Sequence, residues 1–178
     1  KVAPAEAASL SLVAGVAVAE ALEGFGFPAL VKWPNDVLVD GAKVAGISLE
    51  TASDFDRLER AIVGIGINVA EAEGRSGTPG ALTADDGTTP PLAEVTARVL
   101  DAFHTRYEQW KSVGFGWFAM RFVELDALAG QEVAVRTLEG EILAQGVAAG
   151  VDERGRLLVT AEDGTAMSVA PGDVTLRG

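Results

Sequence analysis

The stretch from Lys32 to Glu50 of the 178-residue sequence reads KWPNDVLVDGAKVAGISLE and carries the strongest structural signals in the chain. Val37-Leu38-Val39 and most of Val44 to Leu49 are apolar and β-branched, which is typical of strands. Asp40-Gly41 between them favours a two-residue turn, because both central positions of such a turn adopt positive φ. The stretch therefore predicts a β-hairpin that follows a turn containing Pro34.

The same turn predicts which residues of the hairpin face each other. The expected pairs are Val39 with Ala42, Leu38 with Lys43, and Asp36 with Ala45. Opposed residues share a face and side chains alternate along a strand, so Asp36 and Lys43 lie diagonally on one face with Cβ atoms roughly 7–8 Å apart. The hairpin thus directs a carboxylate and an amine into one space, and a longer turn would break this register.

Three blocks resemble the signature of biotin protein ligases in order and spacing. They are Lys32-Trp33-Pro34-Asn35-Asp36, Lys43-Val44-Ala45-Gly46-Ile47 and Gly64-Ile65-Gly66-Ile67-Asn68. Each block is weak or moderate alone, and the combination is specific. The resemblance continues to Gly172–Arg177, which is similar to the end of that family's small C-terminal domain.

The resemblance implies a two-step reaction with biotin, ATP and Mg²⁺. Biotin and ATP would give biotinyl-5′-adenylate and pyrophosphate, and the activated carboxyl would then acylate a lysine of a biotin carboxyl carrier protein domain. Because the first step brings two anions together, a fixed ammonium and a metal ion would lower its barrier.

The resemblance also assigns roles to individual residues. Lys43 is implied to be catalytic and to contact both biotin and the α-phosphate, while Gly46 would leave room for the biotin ring. Asp36 is implied to be catalytic and to bind the metal. The residues implied to bind the nucleotide are Trp33, Asn35, Lys43 and Asn68.

Each of these features also has a purely structural interpretation. Trp33 to Asp36 can be an ordinary turn in which proline sets φ and the Asn and Asp side chains cap backbone groups. Lys43 can be a solvated lysine that protects a strand edge. Gly64 and Gly66, which share a face of a predicted strand from Arg60 to Val69, can serve close helix packing.

The resemblance implies an α+β fold in two parts. Residues 1–127 would form the later portion of a class II synthetase-like biotin/lipoate ligase catalytic domain, with a mixed β-sheet and packed helices. Residues 128–178 would form a small SH3-like β-barrel. The residue pattern agrees with the second part, since five segments alternate like short strands. They are Gln131–Thr137, Glu141–Gly150, Arg156–Ala161, Thr165–Val169 and Val174–Arg177.

Helical periodicity predicts three helices, Ala5–Glu23, Leu92–Ser112 and Phe115–Leu125. The first has one apolar stripe, whose Ala and Gly residues allow close approach to a sheet. In the third, Trp117 and Phe118 are expected to pack inward. The polar segment from Thr51 to Glu59 predicts a turn or a bulging loop.

One element of the family pattern is absent from the 178 residues, namely a Gly-Arg-Gly-Arg-like loop that covers biotin and the adenylate. The chain also starts with Lys1. We therefore expect the later part of a ligase: a truncated product, an incompletely described chain or a subunit completed by another polypeptide. Asp173 and Arg177 are implied to reach back toward the ATP or carrier site, and both can equally be solvated residues at a strand end.

The formal charge of −12 argues against a nucleic-acid surface, which needs a basic face. The chain has no cysteine and one histidine, which excludes a disulfide framework and disfavours a His-rich zinc site. The apolar segment of residues 7–19 is too short to span a bilayer. These features fit a cytoplasmic protein, and Val44–Leu49 offers a strand that could pair with its copy in a homodimer.

Two other functions stay open from the sequence. The chain can be a non-catalytic module that binds a carrier or another partner. It can also be a lipoate ligase-like acyl ligase, although the Lys32–Asp36 turn and the predicted barrel favour biotin.

Overall fold

The computed structural model describes residues 4–54, 57–70, 80–137, 139–171 and 174–177, and of residues 4, 5, 57 and 174–177 it describes the backbone. The helices are α1 (Pro4–Ala7), α2 (Leu10–Glu23), α3 (Leu92–Val113) and α4 (Gly116–Leu125). The strands of the first sheet are β1 (Ala29–Lys32), β2 (Asp36–Val39), β3 (Ala42–Asp54) and β4 (Arg57–Ile67). The strands of the second sheet are β5 (Glu132–Thr137), β6 (Ile142–Val151), β7 (Leu157–Thr160), β8 (Ala166–Val169) and β9 (Val174–Arg177).

Both sheets are antiparallel, in the orders β1-β2-β3-β4 and β8-β7-β6-β5-β9. The fold is α+β, as expected. The prediction of a mixed first sheet was wrong for the described residues, whose strands pair antiparallel. The parallel contact there is one isolated bridge between Val31 and Asp126. The second sheet has the five predicted strands. It is open in the described part of the chain, since its end strands β8 and β9 do not pair with each other.

Helix α2 occupies the centre of the molecule and contacts α3, α4, β1 and β3. Nearly all residues of α2 are buried, so the helix is covered on more sides than the predicted single apolar stripe implied. Gly15 lets the helix approach the sheet, because a Cβ there would lie 3.0 Å from Cγ1 of Val31. None of the helices in the described part is long and apolar enough to cross a membrane.

Two predictions about local structure were wrong. The described residues of Thr51 to Glu59 belong to the far end of a long hairpin, since β3 runs to Asp54 and β4 begins at Arg57. Cross-strand pairing over these residues overrides their polar composition. Trp117 is 46% exposed, whereas its neighbour Phe118 is fully buried, because only one of two adjacent helical residues faces the core here.

The two sheets share one hydrophobic core, and the chain crosses between them just after α4. The N–H of Ala127 donates to the carbonyl of Val31 at 3.0 Å, and Oδ1 of Asp126 accepts the N–H of Leu128 at 2.8 Å. The second carboxylate oxygen of Asp126 is buried and has no hydrogen-bond partner among the described residues. Burial raises the pKa of Asp126, and the hydrogen bond from Leu128 only partly offsets that effect.

Candidate functional site

A row of four residues crosses the outer face of the first sheet, on the side away from α2. The strand register aligns one residue from each strand of this sheet. These residues are Lys32, Asp36, Gly46 and Gly66. The two glycines contribute no side chain, so half of the row is bare backbone that another molecule can approach closely. This row forms the floor of the candidate site.

The turn that orders the hairpin is the predicted one. Asp40 and Gly41 have φ of 50° and 77°, and the pairs Val39–Ala42 and Leu38–Lys43 are confirmed.

Farther from the turn the predicted pairing of Asp36 with Ala45 is wrong, because a β-bulge adds one residue to β3. Val37 pairs with Ala45, so Val44 is the extra residue, and both Val44 and Ala45 are buried. Gly46 therefore faces Asp36. A two-residue turn sets the register only up to the first bulge.

Lys43 and Asp36 meet on the outer face, as the hairpin geometry predicted. Nζ of Lys43 lies 2.5 Å from Oδ1 of Asp36, and the side chains are 49% and 26% exposed. That carboxylate oxygen is itself withdrawn from solvent and lacks hydrogen-bond geometry to any donor in the described residues. The contact is therefore an ion pair whose ammonium remains reachable from solvent.

Gly46 provides the space in which this ammonium rests. A Cβ at position 46 would lie 3.3 Å from both Cε and Nζ of Lys43 and 3.8 Å from Oδ1 of Asp36. The first two distances are tighter than ordinary side-chain contacts, so any larger residue would push the lysine out of its position.

The two predicted asparagines are anchored to β3 by hydrogen bonds. Two hydrogen bonds join Asn35 to Ile47, and we call them the asparagine clamp. The side-chain Nδ2 of Asn35 donates to the Ile47 carbonyl at 2.8 Å, and the backbone carbonyl of Asn35 accepts the Ile47 N–H at 2.8 Å. The backbone of Asn68 donates to the carbonyl of Val44 at 2.8 Å and accepts the N–H of Leu82 at 3.1 Å. The first sheet thus brings Asn35, Asp36, Lys43, Gly46 and Asn68 to one region.

Trp33 differs from these residues, because it points into the core. It is 1% exposed, and its indole Nε1 donates to the carbonyl of Gly155 at 3.1 Å. The predicted contact of Trp33 with a nucleotide stays a prediction. No local signal could have shown this packing role, since the two partners are 122 positions apart.

Ser48 is a neighbour of the site that sequence reasoning passed over. It pairs with Gly64, and a Cβ on that glycine would lie 2.5 Å from Oγ of Ser48. The hydroxyl of the exposed Ser48 therefore occupies the space that Gly64 leaves open. The Ser48–Gly64 pair lies two residues along β3 and β4 from the Gly46–Gly66 pair. Strand alternation combined with the glycine spacing was the signal that could have found it.

A cavity of about 310 Å³ opens beside the asparagine clamp. Residues from four parts of the chain line it, among them Ser11, Pro34, Asn35, Ser48 and Pro171. Within the described residues, no cluster of three or more His, Asp or Glu side chains could hold a metal ion. Asp173 lies outside the described residues, as does the side chain of Arg177, so their predicted roles stay predictions.

Two family models match the chain. The biotin/lipoate A/B protein ligase family matches residues 1–68, and the biotin protein ligase C-terminal domain matches residues 129–177.

Among curated relatives, the biotin–[acetyl-CoA-carboxylase] ligase of Paracoccus denitrificans is 33% identical over 168 residues, covering 86% of this chain and 67% of that protein. The bifunctional ligase/repressor BirA of Bacillus spizizenii is 32% identical over 161 residues, covering 87% of this chain. The chain spans only 49% of that relative's length.

Among solved structures, biotin protein ligase from Aquifex aeolicus superimposes with a TM-score of 0.81 at 30% identity, covering 97% of this chain and 75% of that one. The same ligase in complex with biotin and ATP gives a TM-score of 0.78, covering 96% of this chain and 71% of that one.

Proposed function

Because this chain belongs to the biotin protein ligase family, we propose that the protein carrying it activates biotin with ATP and transfers the biotinyl group to a lysine of a carboxyl carrier protein. The observation that carries the proposal is the Lys43 ammonium, held by Asp36 over a glycine floor and half open to solvent. The Aquifex aeolicus ligase of similar fold, solved with biotin and ATP, supports the same substrates.

In the first step a carboxylate oxygen of biotin bonds to the α-phosphorus of ATP, and the bond from that phosphorus to the bridging oxygen breaks as pyrophosphate leaves. Both reactants are anions, so a fixed positive charge lowers the barrier most where negative charge accumulates. Lys43 supplies that charge from the outer face of the sheet. The bare backbone at Gly66, beside the Lys43 side chain that lies over Gly46, lets a flat ring lie against the sheet.

In the second step the amine of the carrier lysine attacks the acyl carbon of the adenylate, loses a proton and displaces AMP. The Asn35 clamp keeps the Lys32–Asp36 turn against β3 through both steps. The cavity beside Asn35 has room for part of a nucleotide.

Mg²⁺ fits the residues present only as an ion with few protein ligands. The carboxylate of Asp36 is 26% exposed and its Oδ1 already meets the Lys43 ammonium at 2.5 Å, so a metal ion would share this carboxylate with the lysine. Mg²⁺ is commonly held by one or two carboxylates, with phosphate oxygens and water completing its coordination. When bound, the ion would neutralise phosphate charge, and Asp36 would be the residue that holds it.

We further assign residues 1–127 to the catalytic domain and residues 128–178 to an SH3-like domain, in which β5 to β9 supply the five strands. Cytoplasmic location and the absence of nucleic-acid binding stay predictions. A homodimer also stays a prediction, although β3 is paired with both β2 and β4 at Ala45 and Gly46 and offers no free edge there.

The lipoate ligase alternative is less well supported, because the model matching residues 129–177 describes the C-terminal domain of biotin protein ligases. The test is incubation of the purified protein with ATP, Mg²⁺, biotin and a biotin carrier domain, with mass spectrometry of the carrier. A biotin-dependent mass increase on one lysine is expected. Carrier binding without binding of biotin or ATP, measured by calorimetry, would instead identify a non-catalytic module.

A further inference from the structure

The turn between β6 and β7, residues 152–156, lies far from Lys43 in sequence but touches the turn that carries Asn35 and Asp36. The contact is the hydrogen bond from the indole of Trp33 to the carbonyl of Gly155, and it is buried. Trp33 lies two residues before Asn35, in a segment that is itself clamped to Ile47.

The 152–156 turn is rigid because one carboxylate organises it. Oδ1 of Asp152 accepts the N–H groups of Arg154 and Arg156 at 2.9 and 3.0 Å, and its Oδ2 accepts Nε of Arg156 at 2.6 Å. Partial burial works to raise the pKa of Asp152, but these hydrogen bonds outweigh it and lower the pKa. The carboxylate form that holds the turn is therefore favoured.

The same turn is wedged against the start of α2. Gly155 has φ of +75°, and a Cβ there would lie 3.1 Å from Cβ of Ser9 and 3.2 Å from Cδ1 of Leu12. The Gly155 backbone thus fills a slot between the helix and the tryptophan. Its carbonyl cannot move far without losing either the helix contact or the indole bond.

We propose that the 152–156 turn is a positioning element for the active site, which acts through Gly155 and Trp33 to hold Asn35 and Asp36 in place. Trp33 is then a positioning residue, and its conservative replacement alters chemistry at Asp36 and Lys43 without touching either of them. The effect on chemistry rests on the proposed function, whereas the mechanical coupling does not.

Trp33→Phe tests this, because it keeps an aromatic ring and removes only the donor. Glu20→Gln is the control, since it also destabilises the fold, by weakening charge-assisted hydrogen bonds to Arg106 and Arg121 that do not involve the 152–156 turn. The readouts are hydrogen exchange of the Ile47 amide, which donates to Asn35, and kcat and KM for ATP in adenylate formation.

We expect Trp33→Phe to speed exchange at Ile47 about fivefold and to lower kcat by a similar factor, while Glu20→Gln changes both less than about twofold at a similar loss of Tm. Equal effects of the two variants would overturn the proposal. If Trp33→Phe does not fold, Asp152→Asn provides the test, because it weakens the hydrogen bonds that hold the 152–156 turn. Faster exchange at Ile47 is then expected, and unchanged exchange would overturn the proposal. A wild-type protein that forms no adenylate would refute the proposed function, and the exchange comparison would still test the coupling.

Discussion

Nζ of Lys43 lies 2.5 Å from Oδ1 of Asp36, and the two side chains reach each other from neighbouring strands across Gly46. Half-exposed ion pairs contribute little to stability, so stability alone does not explain this arrangement. An ammonium already placed above a bare sheet face needs little rearrangement to meet an anionic ligand. Such preorganisation is the usual source of electrostatic catalysis.

Replacing Lys43 with alanine should lower the rate of biotinyl-adenylate formation about 100-fold, the size of effect seen when one fixed charge-stabilising group is removed. The rate can be measured by pyrophosphate release in the protein that carries this chain. Lys111→Ala is the control, because Lys111 also forms an ion pair, with Glu108, on the surface of α3. A Lys43→Ala variant with normal activity would rule out the assigned role of this amine.

Gly46→Ala should lower the same rate about tenfold, because the new Cβ would displace the Lys43 ammonium and small misplacements of a catalytic group are costly. Gly116→Ala is the matched control, since a Cβ there would meet only Cβ of Glu153 at 3.9 Å. Unchanged activity in Gly46→Ala would mean that the resting position of the ammonium does not matter.

Asp126→Asn should remove a pH dependence from the free energy of unfolding. The folded-state pKa of Asp126 is raised above its ordinary value near 3.8, so the folded protein holds this proton more tightly than the unfolded chain. Wild-type stability therefore falls as pH rises from about 3.8 through the raised pKa, and stays lower above it. The variant lacks this fall.

The measurement is urea unfolding of both proteins between about pH 4 and pH 7. The advantage of Asp126→Asn should grow with pH and reach about 1 kcal/mol, because one buried unsatisfied charge is removed. Stability curves that run parallel across this range would show that burial does not shift the titration of Asp126.

Glu20→Gln should lower the free energy of unfolding by about 1–2 kcal/mol, because charge-assisted hydrogen bonds to Arg106 and Arg121 join α2 to α3 and α4. Glu124→Gln is the control, since Glu124 also pairs with Arg121 but is 64% exposed, and its loss should cost less than about 0.5 kcal/mol. Equal losses in thermal or urea unfolding would contradict a central role for Glu20.

Local signals predicted the elements that carry the site. The Asp40-Gly41 turn and the face shared by Asp36 and Lys43 follow from turn chemistry and strand alternation, which act over a few residues. The five strands of the second sheet follow from the same alternation.

Features that depend on distant neighbours were not predictable in this way. The bulge at Val44 depends on packing of β3, and the strands through Thr51–Glu59 depend on pairing with each other. Trp117 stays 46% exposed although a large aromatic side chain favours burial, and its ring meets the guanidinium of Arg106 from α3, 5.8 Å from the ring centroid.

The sequence by itself determined the hairpin, its turn and the one face on which an acid and an amine meet, because these depend on backbone preferences of adjacent residues. Only the tertiary structure decided that Gly46 lies beneath the lysine and that Trp33 bonds to Gly155. Those contacts join residues from separate strands or distant turns. Their geometry is set by close packing of the whole core, which no short stretch of residues encodes.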